Sequence, residues 1–419
     1  MKDSQTIWDV AVIGGGPAGM MAAGRAAELG AKVALIEKNA SLGRKLLITG
    51  GGRCNVTNAE PDTRKLLAKF KRGGKFLPSP FSQWNNENSV HFFNTRGMPT
   101  KIEAEQRVFP VSDSARSVWD VLVKYLKDSG VTVLSNSPVA RLEKDGGRIT
   151  KAILKNGREV IAKKFILATG GLSRPETGST GDGFSILKTL GHKVSDTNAA
   201  LVPVALKESW VKRAASVIFP NVKITIYQND KKQESRAGKI LFTHVGLSGP
   251  AILNMSRDIG ELLQYGEVVL ELDLLPDMGP EKVNSKLQEI LKADINKKIK
   301  NVLNSVVPTA LVSILLELAD IKGDTPCHSV TRPQRLALAH LLKHLRVTVR
   351  GLLGLDKAII TSGGVALEEI DWKSMRSLKY PNLHIVGDLL DIDRPSGGYS
   401  LQLCWTTGFV AGSAVVART

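Results

Sequence analysis

The chemistry of this chain begins at three glycines. Gly14, Gly16 and Gly19 fall in the spacing Gly-x-Gly-x-x-Gly, directly after the apolar run Asp9–Ile13, with Pro17 and Ala18 between the last two. In that spacing the first glycine permits a tight turn and the second lets the main chain approach a pyrophosphate. The third lets the following helix press close to the strand. That helix offers free N–H groups and its positive dipole end to phosphate oxygens. Glu37 stands 23 residues after Gly14, at the end of the next apolar run, Ala31–Ile36. A carboxylate there accepts hydrogen bonds from adenosine ribose hydroxyls. Strand, turn, helix, second strand and terminal acid come in the order that a dinucleotide site requires.

Three further segments favour FAD over NAD. After Glu37 and Lys38 the chain runs from Leu42 to Asn58 through Arg44, Lys45, Gly51, Gly52, Arg53, Cys54 and Asn55. Arg44, Lys45 and Arg53 are expected to face phosphates, and the Gly50–Gly52 main chain to approach a flat ring. The second segment, Ala168–Gly171 with Gly170 at its turn, ends a buried strand, and Thr180–Gly183 opens a helix behind it. The third places Gly387 and Asp388 after the strand Leu383–Val386, followed by Gly397, Gly398 and Tyr399. An acid at such a strand end can bind a ribityl hydroxyl, and the helix start behind it can face the polar edge of an isoalloxazine. Together these segments return the far end of the chain to one cofactor.

The catalytic acid and base are not identified by the sequence. His244 precedes Gly246-Leu-Ser-Gly249 and reads as a packing or capping histidine. Cys54 has no second cysteine nearby in sequence, so it is expected to pack beside the ring rather than to act in a disulfide relay. Cys54, Cys327 and Cys404 are odd in number and widely spaced, which argues against a disulfide framework. Neither a Cys-x-x-Cys pair nor a His-Glu-x-x-His run occurs, and no metal site is expected.

These residues need a scaffold. The βαβ unit from Asp9 to Ile36 starts an α/β, Rossmann-type FAD-binding domain. An amphipathic helix from Ser114 to Lys127 follows, then strands at Val131–Leu134, Val139–Glu143, Ile149–Leu154 and Glu159–Ile161. Gly146-Gly147 and Asn156-Gly157 divide them as hairpin turns, predicting an antiparallel meander before the buried strand Phe165–Thr169. From 200 to 275 the pattern is strand-rich, and from 276 to 345 it is helical, with apolar faces at Val283–Leu291, Ile299–Val306, Ala310–Ile321 and Pro333–Leu345. The expected domains are therefore 1–199 for the first part of the FAD domain, 200–275 for a β-rich insert and 276–345 for a helical subdomain, read either as a cap over the flavin or as a rigid structural or oligomer-forming insert. The β-rich insert returns at 346–355, and the FAD domain resumes at 356–419.

The 57 basic and 40 acidic residues leave a net charge of +17. Such a charge suits RNA, anionic membranes or anionic cofactors. The basic residues are scattered, however, and few aromatics interleave with them, so the charge alone reads as a solvated surface rather than a nucleic-acid site. No apolar run approaches the ~20 residues needed to cross a bilayer. No secretory leader is apparent, so a cytoplasmic location and no membrane partner are expected.

From Asp9 to Gly412 the sequence resembles the BaiN-type, aminoacetone oxidase-like family of bacterial NAD(P)/FAD-dependent oxidoreductases. Gly14–Gly19, Leu42–Asn58, Gly178–Gly183, Leu241–Pro250, Ser362–Val365 and Gly387–Tyr399 carry the resemblance. It implies FAD bound at Gly14–Gly19, Glu37, Arg44–Lys45, Gly51–Asn55, the Val139 main chain and Gly387–Asp388. It also implies hydride transfer through flavin N5, with NAD(P)H as a transient donor and a small organic substrate. Asp388 replaces a frequent family glutamate, and Asp393-Arg394-Pro395 departs from the glycine-containing segment of some members. Two other readings stand beside this one: a fumarate-reductase-like flavoenzyme, from Ala168–Gly171 and Thr180–Gly183, and an RNA-associated flavin-binding protein, from the charge.

Overall fold

The apolar run Ile7–Ile13 becomes the centre of a parallel sheet. The structure, a computed structural model, describes residues 6–71, 73–195, 198–354 and 360–417. Ile7–Ile13 pairs in parallel with Val33–Ile36 on one side and with Glu159–Leu167 on the other. Thr132–Leu134 continues the sheet beyond Val33–Ile36, and Leu383–Ile385 continues it beyond Glu159–Leu167. Val10 to Ile13 are all buried, as a strand covered on both faces must be. By main-chain contacts the chain divides into two compact units, Met1–Ala199 with Ala358–Thr419, and Ala200–Lys357. The expected domain boundary at 355/356 lies outside the described residues.

Two sequence readings change here. Thr132–Leu134 joins the parallel sheet rather than the meander, which therefore has three strands, Val139–Asp145, Arg148–Leu154 and Glu159–Leu167. The last of these runs unbroken, although Lys163 and Lys164 divide the apolar pattern and suggested two strands. Lys163 keeps its charge at the surface on Asp9, 2.7 Å away, so the backbone passes straight through the polar pair.

The helix Pro17–Glu28 has small residues on its buried side. Ala18 and Ala22 meet Gly408 and Gly412 of the final helix, Tyr399–Ala414, where a β-carbon on either glycine would lie 2.5 Å from a carbonyl oxygen of the first helix. Alanine against glycine thus lets the two backbones approach. Trp405, fully buried, donates its Nε1–H to the carbonyl of Val56 at 2.9 Å, and Thr57 Oγ1 bonds Gln402 Oε1 at 2.6 Å. The last helix therefore fastens both the first helix and the end of the Leu42–Asn58 segment. A small antiparallel sheet of Thr57–Asn58, Arg107–Pro110 and Thr100–Glu103 continues from that point.

The second unit closes six antiparallel strands into a barrel, in the order Val204–Leu206, Gly246–Ser248, Lys231–Phe242, Ile218–Gln228, Val268–Asp273 and Leu345–Leu352. A helix within the strand-rich stretch, Pro250–Leu262, was not legible as one; its buried Ala251, Ile252, Met255 and Ile259 face the barrel core. Helices Pro280–Ala293, Thr309–Leu318 and Arg332–Lys343 form the helical part with the short turn Ile299–Val302. The buried ammonium of Lys343 ties it to the barrel through Asp273 at 2.7 Å and the carbonyl of Leu275 at 2.9 Å. No helix among the described residues is long and apolar enough to cross a membrane.

Candidate functional site

At the carboxyl ends of the parallel strands the first unit opens a cleft that, with the solvent space at its mouth, encloses about 1210 Å³. Its floor is the glycine turn. Gly14 has φ +105°, and a β-carbon there would lie 2.5 Å from the carbonyl oxygen of Ala168. Only glycine fits between the two strand ends. A β-carbon on Gly19 would come within 1.8 Å of the Gly14 oxygen, so the helix can start only where position 19 has no side chain. Gly16 differs, because a β-carbon on it would meet nothing within 4 Å. It lines the cleft with Pro17 and Ala18 at the helix N-terminus, where the main chain is free to receive phosphate.

Glu37 ends the second strand, is buried, and lines the same cleft. One carboxylate oxygen accepts the Gly15 N–H at 2.7 Å; the other accepts the Asn39 N–H at 2.8 Å and Asn39 Nδ2–H at 2.7 Å. The acid thus holds the glycine turn as well as facing the cavity. Lys38 lines the cleft but donates to Thr180 Oγ1 at 2.6 Å and pairs with Asp182 at 2.7 Å. Burial raises the Asp182 carboxyl, but Lys38, the Thr180 hydroxyl and Lys155 together hold the group below its ordinary value. Val139 and Gly170 complete this part of the wall.

Lys45, Gly387 and Asp388 line the cleft at the ends of other elements, and so does Arg44. Lys45 donates to Ser173 Oγ at 2.6 Å and lies 3.5 Å from Asp388. The other oxygen of Asp388 accepts from the buried guanidinium of Arg394, which also donates to the Ile392 carbonyl at 2.8 Å and to Ser400 Oγ at 3.0 Å. Burial pushes the Asp388 carboxyl up, yet Arg394 and Lys45 together hold it below the usual carboxylate range. This Lys–Asp–Arg cluster was only partly foreseen: Arg394 had been singled out as a departure, not as the partner of Asp388.

The rest of the Leu42–Asn58 segment is placed differently from expectation. Arg53 does not line the cleft; it pairs with Glu103 and Asp113 and lies over the Phe109 ring, 4.2 Å from its centroid. Two carboxylates close to one guanidinium outbid a distant phosphate. Gly51 and Gly52 are exposed and adopt positive φ, at +68° and +87°, so they shape a surface turn and do not reach the cavity wall. Cys54 is buried behind that turn, its thiol pushed up to about 12 by burial, and Asn55 also stands outside the lining. Gly398 gives way to the Thr57 main chain, where a β-carbon would lie 2.3 Å from a carbonyl carbon. Tyr399 is buried edge-on to Phe70. Both position the last helix rather than the cavity surface. His244 is exposed at the turn Thr243–Gly246, where Thr243 makes the capping bonds, so it is neither packed nor a cap.

Sequence reasoning missed Asn39, Ser137 and Cys404 in the wall, and reached Thr169 only as part of the Ala168–Gly171 turn. Asn39 and Ser137 lie just past strand ends, a position that marks them in a parallel α/β sheet. Cys404 carries no such signal, since it sits in a helix buried on nearly every side, polar residues included.

The residues present fit FAD. The space in front of Gly16 admits a group that a side chain would fill, and Thr169 Oγ1, in the cleft wall, is buried with no hydrogen-bond partner. A buried hydroxyl without a partner calls for one. Among the described residues no cluster of His, Cys, Asp and Glu is placed to hold a metal.

Fold and cleft define a Rossmann-type flavoprotein of the oxidoreductase class, with FAD as its cofactor. Residues 8–414 match the family described as HI0933-like protein Rossmann domain, and the chain belongs to it. It is 32% identical over 413 residues to a ribosomal RNA dihydrouridine synthase of Escherichia coli, covering 98% of both chains. It is 29% identical over 413 residues to a 3-dehydro-bile acid delta(4,6)-reductase of Clostridium scindens, covering 98% of this chain and 99% of that one. Among solved structures, the FrdA subunit of Escherichia coli quinol fumarate reductase aligns with a TM-score of 0.55 at 16% identity, over 98% of this chain and 70% of that one. That last likeness is one of fold.

Proposed function

We propose that the protein is an FAD-dependent reductase of carbon–carbon double bonds conjugated to a carbonyl, acting on uracil rings of ribosomal RNA with NAD(P)H as electron donor. The observation that carries the reading is the FAD cleft in a chain for which two full-length relatives, among others, are named for reactions of one chemical kind. Dihydrouridine is uridine with two hydrogens added across a double bond conjugated to the ring carbonyl. A delta(4,6)-reductase of a 3-oxo steroid adds hydrogens to a double bond of the same electronic type. The net reaction consumes one NAD(P)H and one proton and gives NAD(P)⁺ and the saturated ring.

Bound FAD supplies hydride transfer through N5. The chain's own residues supply the rest. The Gly14–Gly19 turn and its helix would hold the pyrophosphate, and Glu37 would accept from the ribose hydroxyls. Asp388, fixed between Lys45 and Arg394, would offer an ionised acceptor to the ribityl chain.

The +17 charge receives a different weight here than in the sequence alone. With an RNA-acting enzyme among the relatives, a basic surface is what a polyanionic substrate requires. The resemblance to fumarate reductase brings no substrate residues with it. To test the reading, FAD-loaded protein is reduced anaerobically with NADPH and mixed with unmodified ribosomal RNA made by transcription. Flavin reoxidation together with dihydrouridine in the digested RNA is the expected result. Reoxidation by a 4,6-dien-3-one steroid, with RNA inert, would overturn the RNA substrate; reoxidation by neither would overturn the reaction class.

A further inference from the structure

Between Thr63 and Asn86 the chain has six basic residues and not one acid. No other stretch of this length is so one-sided, and the fold shows how it is mounted. In the short helix Thr63–Ala68 and the turn that follows, Leu66, Phe70 and Gly73 point inward and are buried. Arg64, Lys65, Lys69 and Lys75 are exposed. The first three make no ion pair among the described residues, whereas most arginines and lysines near the cleft, such as Arg53, Lys38 and Lys45, are paired. Lys75 rests over the Phe76 ring, 5.0 Å from its centroid. Asp62, the nearest acid, is committed to capping the helix through the N–H groups of Arg64 and Lys65.

The arm is fixed beside one end of the cleft. Phe70 meets Tyr399 edge-on at 5.6 Å, and Gly73 leaves room for Ile392, which a β-carbon there would approach to 2.9 Å. Tyr399 is followed by Ser400 and Leu401, which line the cleft near Asp388. The exposed cations thus belong to a segment whose buried face packs against the start of the helix that carries Ser400 and Leu401 into the cleft wall. The aromatic rings of the arm face inward, so it offers charge without a stacking platform.

We propose that Arg64, Lys65, Lys69 and Lys75 form a phosphate-docking arm that holds the backbone of the RNA substrate beside the cleft. This rests on the function proposed above and adds where the RNA is gripped. Contact through phosphates alone is independent of base sequence and depends steeply on salt.

The test uses FAD-loaded protein and an end-labelled ribosomal RNA hairpin made by transcription, with binding followed by fluorescence anisotropy across a salt series. One variant carries Arg64→Gln, Lys65→Gln, Lys69→Gln and Lys75→Gln. A control of equal charge carries Lys223→Gln, Lys239→Gln, Lys282→Gln and Lys292→Gln, all exposed in the second unit. At ~0.7 per phosphate contact on a single strand, losing four contacts lowers the slope of log affinity on log salt by about 2–3 and weakens binding by at least about tenfold. The arm variant is expected to show both changes with its flavin spectrum intact, and the control to show neither. Equal losses in the two variants, or an arm variant that binds as the wild type does, would overturn the arm while leaving RNA as substrate. Wild-type protein that does not bind the hairpin would overturn the RNA reading itself. Arm-dependent binding to phosphatidylserine vesicles with RNA binding unaffected would assign the arm to a membrane surface instead.

Discussion

Replacing Gly16 by alanine separates cofactor binding from folding. Gly16 has φ −79° and ψ −176°, extended backbone that alanine adopts without strain, and its β-carbon meets nothing within 4 Å. Alanine is a poorer helix cap than glycine, by about 0.5–1 kcal/mol, while the stiffer unfolded chain returns about 0.4–1 kcal/mol. The cofactor-free protein should therefore keep its stability within about 0.5 kcal/mol. The new methyl, however, stands where a pyrophosphate approaches the main chain. Losing one charge-assisted hydrogen bond there costs about 1.5–3 kcal/mol, or about 10- to 150-fold in Kd at ~1.4 kcal/mol per decade. Gly19→Ala has the opposite profile, since its β-carbon would lie 1.8 Å from the Gly14 oxygen. Forcing that contact destabilises the cofactor-free fold by about 1–3 kcal/mol or more. Urea unfolding of the deflavinated proteins and titration with FAD measure the two effects separately. A Gly16→Ala protein that binds FAD as tightly as the wild type, or that loses as much stability as Gly19→Ala, would refute the argument.

Two other substitutions probe buried charge. Asp388→Leu leaves the buried Arg394 guanidinium without its counter-charge, which should cost about 3–5 kcal/mol in urea unfolding; adding Arg394→Met should restore part of it, while FAD affinity stays reduced in both proteins. Because Arg394 and Lys45 hold the Asp388 carboxyl below its ordinary value of 3.8, its contribution is present above that pH and is lost only as pH falls through the still lower folded value. His384 titrates in a different window: burial pushes its imidazole from 6.5 down to about 4. The unfolded chain takes up this proton first, so stability is full above 6.5 and declines as pH falls toward 4, by about 3 kcal/mol at ~1.4 kcal/mol per unit. His384→Phe should flatten that decline in unfolding curves taken across the range, and an unchanged decline would assign it to other groups.

The parts of the site that rest on local chain geometry were legible in the sequence. Gly14, Gly16, Gly19 and Glu37 have roles set by neighbours within one βαβ unit, and they line the cleft or build its turn. Asp388 was legible as a strand-end acid, but its partners were not, because Lys45 lies 343 residues away and no periodicity links them. Arg53 was misread for the same reason: a basic residue in a glycine-rich loop resembles a phosphate ligand until Glu103 and Asp113 come into range. The helix Pro250–Leu262 was missed because short apolar runs in a strand-rich stretch do not separate a buried helix from a strand. Closure of the barrel was equally illegible, since it depends on pairing Val204–Leu206 with Leu345–Leu352 across the whole insert.

The parallel sheet is assembled from two stretches of chain with the barrel between them, and this has a consequence for synthesis. Glu159–Leu167 leaves the ribosome long before Leu383–Ile385, the strand that covers its far edge, and the helix that packs on Pro17–Glu28 comes last of all. At roughly 5–20 residues per second, the roughly 220 residues after position 199 take about 10–45 s to make. Through that interval a buried-type strand edge waits without its neighbour, the condition in which nascent chains pair wrongly with one another. The barrel can close once Leu345–Leu352 has been made, while the sheet edge waits further for Leu383–Ile385. Chaperone demand during translation should therefore fall on the flavin-binding half, and cofactor loading should be among the last events in the protein's maturation.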